Sequence, residues 1–420
     1  MDTASFARGE AQANPDILEA IIQASETYSI IASRDIVDVR GLKLWSRGQP
    51  VSSALQQRLL ERKLQHPIES CLTAEDGVTP FVLQEQLDAF LDGDSTLSSA
   101  LRPWGLLLKN HLKQIPLHPV AQLLLTTALA TRPDTLQHSI SAMALAGALS
   151  QVDKAGVNIR LAMLGGLLHD IGEAYIQPQY LMGQQALDLL GHKHMMVHPR
   201  VAQMLLSSTT DYPAALCVAI GEHHERLNGS GYPARLAGPA ISPLGLILAV
   251  VEVTMGILRA GSAPLTRAAF ALRVVPGEFP PIFSSVIFNM ARTAKEAVPA
   301  PKPVKIRALD DINETLRYSQ KTAQTLQQLG LGAASDAILE LALDRISRLR
   351  VAWNALGVWG LSPEDLTPED QFEIELAWSE LRLRLRELQR ECMLLAEHLQ
   401  HDERRVLEPI WSDMLVERKG

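Results

Sequence analysis

Seven of the twelve histidines fall between His138 and His224, about a fifth of a 420-residue chain. Five of the seven sit in four short pieces: DTLQH ending at His138, GGLLHDIGE with His169 and Asp170, the pair His198-Pro199, and HHERLNGSGYP from His223. A fifth piece, AVVEV, adds Glu252. Burying so many imidazoles and carboxylates costs about 1–3 kcal/mol for each polar group left unpaired. Metal coordination removes that cost, so the fold has to carry the five pieces into one interior. Neutral imidazole and carboxylate donors suit borderline-to-hard divalent ions such as iron, manganese, nickel or zinc. Cys71, Cys217 and Cys392 are too few and too scattered for a thiolate site or a disulfide framework.

The pieces read as helical. Asp134 and His138 are four apart and share a helical face, which lets both point into a bundle interior. His169 and Asp170 follow the apolar run Leu164–Leu168, which buries its helix and brings the pair to the end of a rigid element. Neighbouring residues on a helix point about 100° apart, so this pair can reach two ions, with the Asp170 carboxylate bridging them. His223-His224 closes the apolar segment AALCVAIGE and precedes a glycine-rich turn.

Around this window the chain divides further. Residues 1–27 are polar and read as an irregular tail. An accessory module over 28–125 opens with SIIASRDIVDVRGLKLWSRGQPV, read as a β-hairpin, then SSALQQRLLERKL, a helix with Leu55, Leu59 and Leu60 on one face and Ser52 or Ser53 as its cap. The histidine-bearing domain is expected over 126–296. AVPAPKPVK, residues 297–305, reads as a semi-rigid linker. A C-terminal helical bundle is expected over 306–420, where Ile374, Trp378, Leu381, Leu385, Leu388, Cys392, Leu395 and Leu399 step alternately by four and three, as do Ile312, Leu316, Ser319, Ala323 and Leu326. Such seams close either a bundle within one chain or a homodimer. The fold class is therefore mainly α, with a small N-terminal β-hairpin and helix module.

A net charge of -8 argues against a DNA or RNA platform. The most apolar stretch, ISPLGLILAVVEVTMGIL, carries Glu252 and is shorter than the ~20 clean residues a membrane span needs. The opening MDTASFARGEAQANP lacks a secretory pattern. A cytoplasmic location is the expectation.

His169-Asp170 together with HHERLNGSGYP at 223–233 resembles the HD-GYP family, a branch of the HD phosphohydrolases with an all-helical fold that hydrolyses the bacterial messenger cyclic di-GMP. The likeness covers about 170 residues and implies an HD-type helical bundle core. It implies that His138, His169, Asp170, His198, His223 and His224 hold two divalent ions, iron or manganese. Glu252 stands where the family has an aspartate, and Asp134 where members with a third ion carry a glutamate. Asn228 replaces an aspartate before the Gly-x-Gly-Tyr-Pro turn. Glu173 replaces the lysine that the resemblance places on a substrate phosphate, and an acid there repels an anionic substrate.

Two ions ~3.5–4 Å apart can hold the phosphate, acidify a water and steady the leaving oxygen, so no protein nucleophile is required. His169 and Asp170 are the candidate catalytic residues, Asp170 orienting the attacking water. Gly231 and Tyr232 of the loop, Arg226, Arg235 and Glu173 are the candidate substrate-binding residues. Tyr232 either lines the cleft or packs on the loop, and Glu173 either faces substrate or turns into solvent. The leading expectation is a metal-dependent phosphodiesterase that takes cyclic di-GMP to pGpG or GMP. The rivals are a non-catalytic sensor or scaffold that binds nucleotide or signalling proteins, and a phosphohydrolase for another nucleotide.

Overall fold

The computed structural model describes residues 11–59, 62–181, 187–259, 263–294, 296, 306–356 and 366–412. The chain forms two compact units, Met1–Gly256 and Ile257–Gly420.

Among the described residues of the first unit are six short strands: β1 (Ala11–Gln12), β2 (Ile30–Ala32), β3 (Ile36–Val37), β4 (Lys43–Trp45), β5 (Lys63–Leu64) and β6 (Leu72–Ala74). They pair antiparallel as β1 with β5, β2 with β6 and β3 with β4. The hairpin is thus β3–β4 alone. Ile30–Ala32, expected as part of it, pairs with Leu72–Ala74 because buried Ile30 and Ala32 there face buried Ala74 and Leu72.

The expected irregular tail over 1–27 is also corrected, since helix α1 spans Pro15–Ser25. Asn14 Oδ1 accepts from the amides of Asp16 and Ile17. Pro15 opens the helix where a missing N–H is harmless. Ile17, Leu18, Ile21 and Ala24 form a buried stripe that a polar-looking stretch conceals. Helix α2 (Ser53–Leu59) follows, burying Leu55 and Leu59, while Leu60 lies outside the described residues.

The helices that frame the histidines are α3 (Pro80–Asp92), α4 (Thr96–Leu101), α5 (Gly105–Leu112), α6 (Pro119–Thr131), α7 (Asp134–Ser150), α8 (Ile159–Leu168), α9 (Pro178–Leu181), α10 (Leu189–Met196), α11 (His198–Thr209), α12 (Ala214–Gly221) and α13 (Pro243–Leu258). α7 and α8 are apolar nearly all round and form the centre of the unit. A Cβ at Gly166 would lie 2.5 Å from the Ala142 carbonyl oxygen. The two backbones therefore touch, which brings His138 on α7 beside His169 at the end of α8.

The second unit holds α14 (Pro264–Val274), α15 (Pro281–Ala294), α16 (Ile306–Gln327), α17 (Ala333–Asn354), α18 (Pro368–Ala396), α19 (His401–Leu407) and α20 (Pro409–Ser412). Leu316, Ala323, Leu381, Leu385, Leu388 and Cys392 are buried together with Ile346 and Trp353. These seam positions are buried among the chain's own helices, while the side chain of Ile312 lies outside the described residues. Val274 and Val275 belong to the same core, and buried Glu278 pairs with Arg384 at 3.0 Å. Residues 264–294 thus pack with the C-terminal helices, and the histidine-bearing unit ends earlier than the expected 296. The expected linker at 297–305 lies outside the described residues.

Candidate metal centre

Three of the candidate ligands are built by one local device. The last turn of an α-helix leaves backbone carbonyls without partners. His169 follows α8, and its Nδ1 donates to the Gly166 carbonyl three residues earlier at 2.8 Å. His198 Nδ1 reaches back to Met195 in the last turn of α10 at 2.7 Å, and His223 Nδ1 to Ile220 in the last turn of α12 at 2.6 Å. Each bond fixes the ring and, in the neutral imidazole, leaves the lone pair on Nε2. All three Nε2 atoms turn toward Asp170.

The donors form two groups, His138, His169, Asp170 and Glu252 in one, His198, His223 and His224 in the other. Asp170 stands between them. Its Oδ2 lies 3.3 Å from His138 Nε2 and 3.2 Å from His169 Nε2, while Oδ1 lies 3.5 Å from the Nε2 atoms of both His198 and His223. Glu252 is divided in the same way, with Oε2 3.3 Å from His169 Nε2 and Oε1 3.9 Å from His224 Nε2. Glu252 Oε2 is buried without a hydrogen-bond partner.

His198 and His223 bring their Nε2 atoms to 3.0 Å although both rings donate elsewhere through Nδ1. Two lone pairs so close repel unless a cation or a proton lies between them. Two nitrogens bound to one divalent ion at ~2.1 Å and a right angle are themselves ~3 Å apart. The donor set, its spacing and the orphaned Glu252 oxygen all fit divalent ions.

The electrostatics follow from crowding acids and imidazoles in a buried space. Burial opposes a charged ring at His169, but Asp170 and Glu252 beside it outweigh burial and hold its pKa well above the ordinary value. Burial would raise Asp170, yet His169, His138 and His198 hold it well below the usual carboxylate range. Burial and Asp170 repulsion push Glu252 up, and His169 and His224 outweigh both and lower it. Burial, reinforced by the neighbouring His223, drives His224 well down. The pocket therefore keeps its carboxylates ionised, as ligands must be.

Glycines let the ligand-bearing segments touch. A Cβ at Gly172 would meet the His198 carbonyl oxygen at 2.1 Å, so the 3-10 turn Ile171–Tyr175 lies directly on α11. A Cβ at Gly231 would lie 2.4 Å from Glu225 Cα and the His224 carbonyl oxygen, which seats the loop over the His223-His224 pair. Buried Glu225 accepts from the amides of Ala234 and Leu236 at 2.7 and 2.9 Å, tying the loop's far end to the same point. Asn228 Oδ1 accepts from the Ser230 amide at 3.0 Å, the turn-forming role expected of it. Tyr232 stacks on His224, with ring centroids 4.4 Å apart and planes at 17°, so its ring packs on a candidate ligand.

Of the residues read from sequence, His138, His169, Asp170, His198, His223, His224 and Glu252 come together, and Asp134 does not. Asp134 is the first residue of α7, exposed and outside both donor groups, because the first turn lies beyond the bundle interior that His138 enters. Glu173 does not turn freely into solvent, since it pairs with Arg132 Nη1 at 2.9 Å. Arg226 donates through Nη1 to the Glu225 carbonyl and works against a charged His224. Arg235 holds a left-handed φ of 54° between the two amides that Glu225 anchors. Sequence reasoning missed Arg132, Glu225 and the buried hydrogen bond from Tyr175 to Glu69 at 2.5 Å. The HHE triplet was a signal for Glu225, whereas nothing local marks Arg132 or Glu69.

Residues 123–259 match the family model described as HD domain. A cyclic di-GMP phosphodiesterase of Pseudomonas aeruginosa is 33% identical over 137 residues, covering 32% of this chain and 33% of that protein. The 3'3'-cGAMP-specific phosphodiesterase 1 of Vibrio cholerae is 30% identical over 146 residues, covering 34% of this chain and 33% of that protein. A solved structure of an HD-GYP-type protein from Bdellovibrio bacteriovorus aligns over 63% of this chain and 94% of that one, at 17% identity and a TM-score of 0.35. The chain spans about a third of the length of the curated relatives it matches. The HD pair and both donor groups lie inside the matched segment, so residues 123–259 carry an HD-GYP-like HD domain. Among the described residues no helix is long and apolar enough to cross a membrane.

Proposed function

We propose that the chain is a metal-dependent phosphodiesterase that hydrolyses cyclic di-GMP to pGpG or GMP, with iron or manganese as its ions. The observation that carries this reading is Asp170, whose two oxygens face two separate groups of donors. The names of the relatives support the substrate class.

Bound divalent ions supply Lewis acidity toward phosphate oxygens and acidify water. Asp170 and Glu252 provide carboxylates to both donor groups and so set their separation. His169, His198 and His223 present Nε2 in a fixed tautomer because backbone carbonyls hold Nδ1. Tyr232 shields one face of the His224 ring, and Glu225 keeps the loop that carries Tyr232 closed on it.

The test is to reload purified protein with manganese or iron and follow cyclic di-GMP by chromatography. Conversion to pGpG or GMP, abolished in His169→Ala, is the expected result. An intact messenger with both metals overturns the proposal. A second reading, a non-catalytic nucleotide sensor, draws on the acid Glu173 one turn beyond Asp170. Calorimetric binding of cyclic di-GMP without turnover would establish it instead.

A further inference from the structure

We propose that Arg132 is the substrate-phosphate anchor of this centre and that Glu173 is the positioning residue that aims it. The inference rests on the phosphodiesterase reading and assigns to that site a cation that sequence does not reveal. The Glu173 amide donates to the Asp170 carbonyl at 2.9 Å, which fixes Glu173 one short turn from the acid between the donor groups. Its carboxylate accepts from Arg132 Nη1 at 2.9 Å. Among the described residues Glu173 is the only side chain that takes a hydrogen bond from this guanidinium. The side chains are 31% and 19% exposed, so the pair is partly reached by solvent one short turn from Asp170.

The charges argue for the same assignment. Asp170, Glu173 and Glu252 make this side of the centre acidic, and an incoming phosphodiester adds a further negative charge. Arg226 already uses Nη1 on the Glu225 carbonyl. Arg132 keeps N–H donors in hand, and a planar guanidinium presents them as a fork matched to phosphate oxygens. A partly exposed ion pair adds little to stability, so a purely structural role leaves little reason for an arginine here.

The test is equilibrium binding of inorganic phosphate and of cyclic di-GMP to the manganese-loaded full chain, with metal content measured on each sample. A hydrogen bond to a charged group is among the stronger ones, so Arg132→Ala should weaken phosphate binding about tenfold or more at unchanged metal content. Arg132→Gln, which keeps a hydrogen bond to Glu173 without the charge, should show the same loss and serves if the alanine variant fails to fold. Glu173→Gln should bind phosphate at least as tightly as the parent, because it keeps an acceptor for Arg132 and removes a repelling charge. Phosphate affinity within about twofold of the parent in both Arg132 variants overturns the proposal, as does a parent that binds no phosphate. Phosphate binding that depends on Arg132, together with no binding or turnover of cyclic di-GMP, keeps the anchor and overturns the substrate reading alone.

Discussion

His198 and His223 hold their Nε2 atoms 3.0 Å apart while both Nδ1 atoms are committed to backbone carbonyls. Without an ion this arrangement needs a proton between two rings. Metal binding therefore releases protons and stabilises the fold by mass action, about 2.7 kcal/mol when free metal is 100 times its Kd. Calorimetric scans should show a lower Tm after chelation, recovered by manganese. The recovery should be larger at about pH 8 than at about pH 5.5, because protons compete for the same nitrogens. A Tm indifferent to chelation at both values would contradict the assignment.

Glu252 reaches both donor groups, so its loss should be felt at both. Glu252→Gln removes a charge while keeping size, and it should lower metal content measured by elemental analysis more than Asp134→Asn does, since Asp134 lies outside both groups. Equal losses would restore Asp134 to the centre.

Gly172 tests how closely the ligand segments must pack. Gly172→Ala drives a methyl into the His198 carbonyl, and overpacking of this kind costs about 1–3 kcal/mol. Because His198 and Asp170 flank the contact, metal affinity should fall together with Tm. A drop in Tm at constant affinity would show that the two segments can separate without moving the donors.

Glu69 gives a pH dependence of known sign. Burial raises its pKa above the ordinary carboxylate value, while the hydrogen bond from Tyr175 acts in the opposite direction and does not cancel it. Its neutral form thus favours folding at and below the ordinary carboxylate pKa, and that stability is lost as pH rises through the raised value. Glu69→Gln keeps an acceptor for Tyr175 and cannot ionise. Its Tm relative to the parent should increase from about pH 4 to about pH 7. A constant difference would mean that Glu69 titrates normally.

In the second unit, Arg384→Ala leaves Glu278 buried and unpaired. Breaking a buried pair in this way costs about 3–5 kcal/mol, readable as a lower urea midpoint for the full chain. Arg384→Ala together with Glu278→Ala should recover much of that loss.

Much of this was legible in the chain because ligands and helices advertise themselves locally. The run Leu164–Leu168 before His169-Asp170, and the string from His223 to Pro233, are each contiguous, so residue type and spacing suffice. The stepped seams of α16 and α18 announced a core for the same reason, although spacing cannot say whether the partner helix belongs to the same chain. Arg132 and Glu173 are 41 residues apart, and Glu69 and Tyr175 are 106 apart. No periodicity links such pairs, since the α7–α8 crossing and the docking of the N-terminal strands bring them together. Asp134 failed for a related reason: sharing a face with His138 does not guarantee that the first turn of a helix enters the interior.

The bonds from His169, His198 and His223 to Gly166, Met195 and Ile220 also carry a lesson for building such centres anew. Each ring is aimed by the carbonyl three residues before it in its own chain, so no remote carboxylate has to be designed to hold it. A helix that ends just before a histidine is thus a portable unit, and three such ends converging on one aspartate would transfer the arrangement to an unrelated bundle.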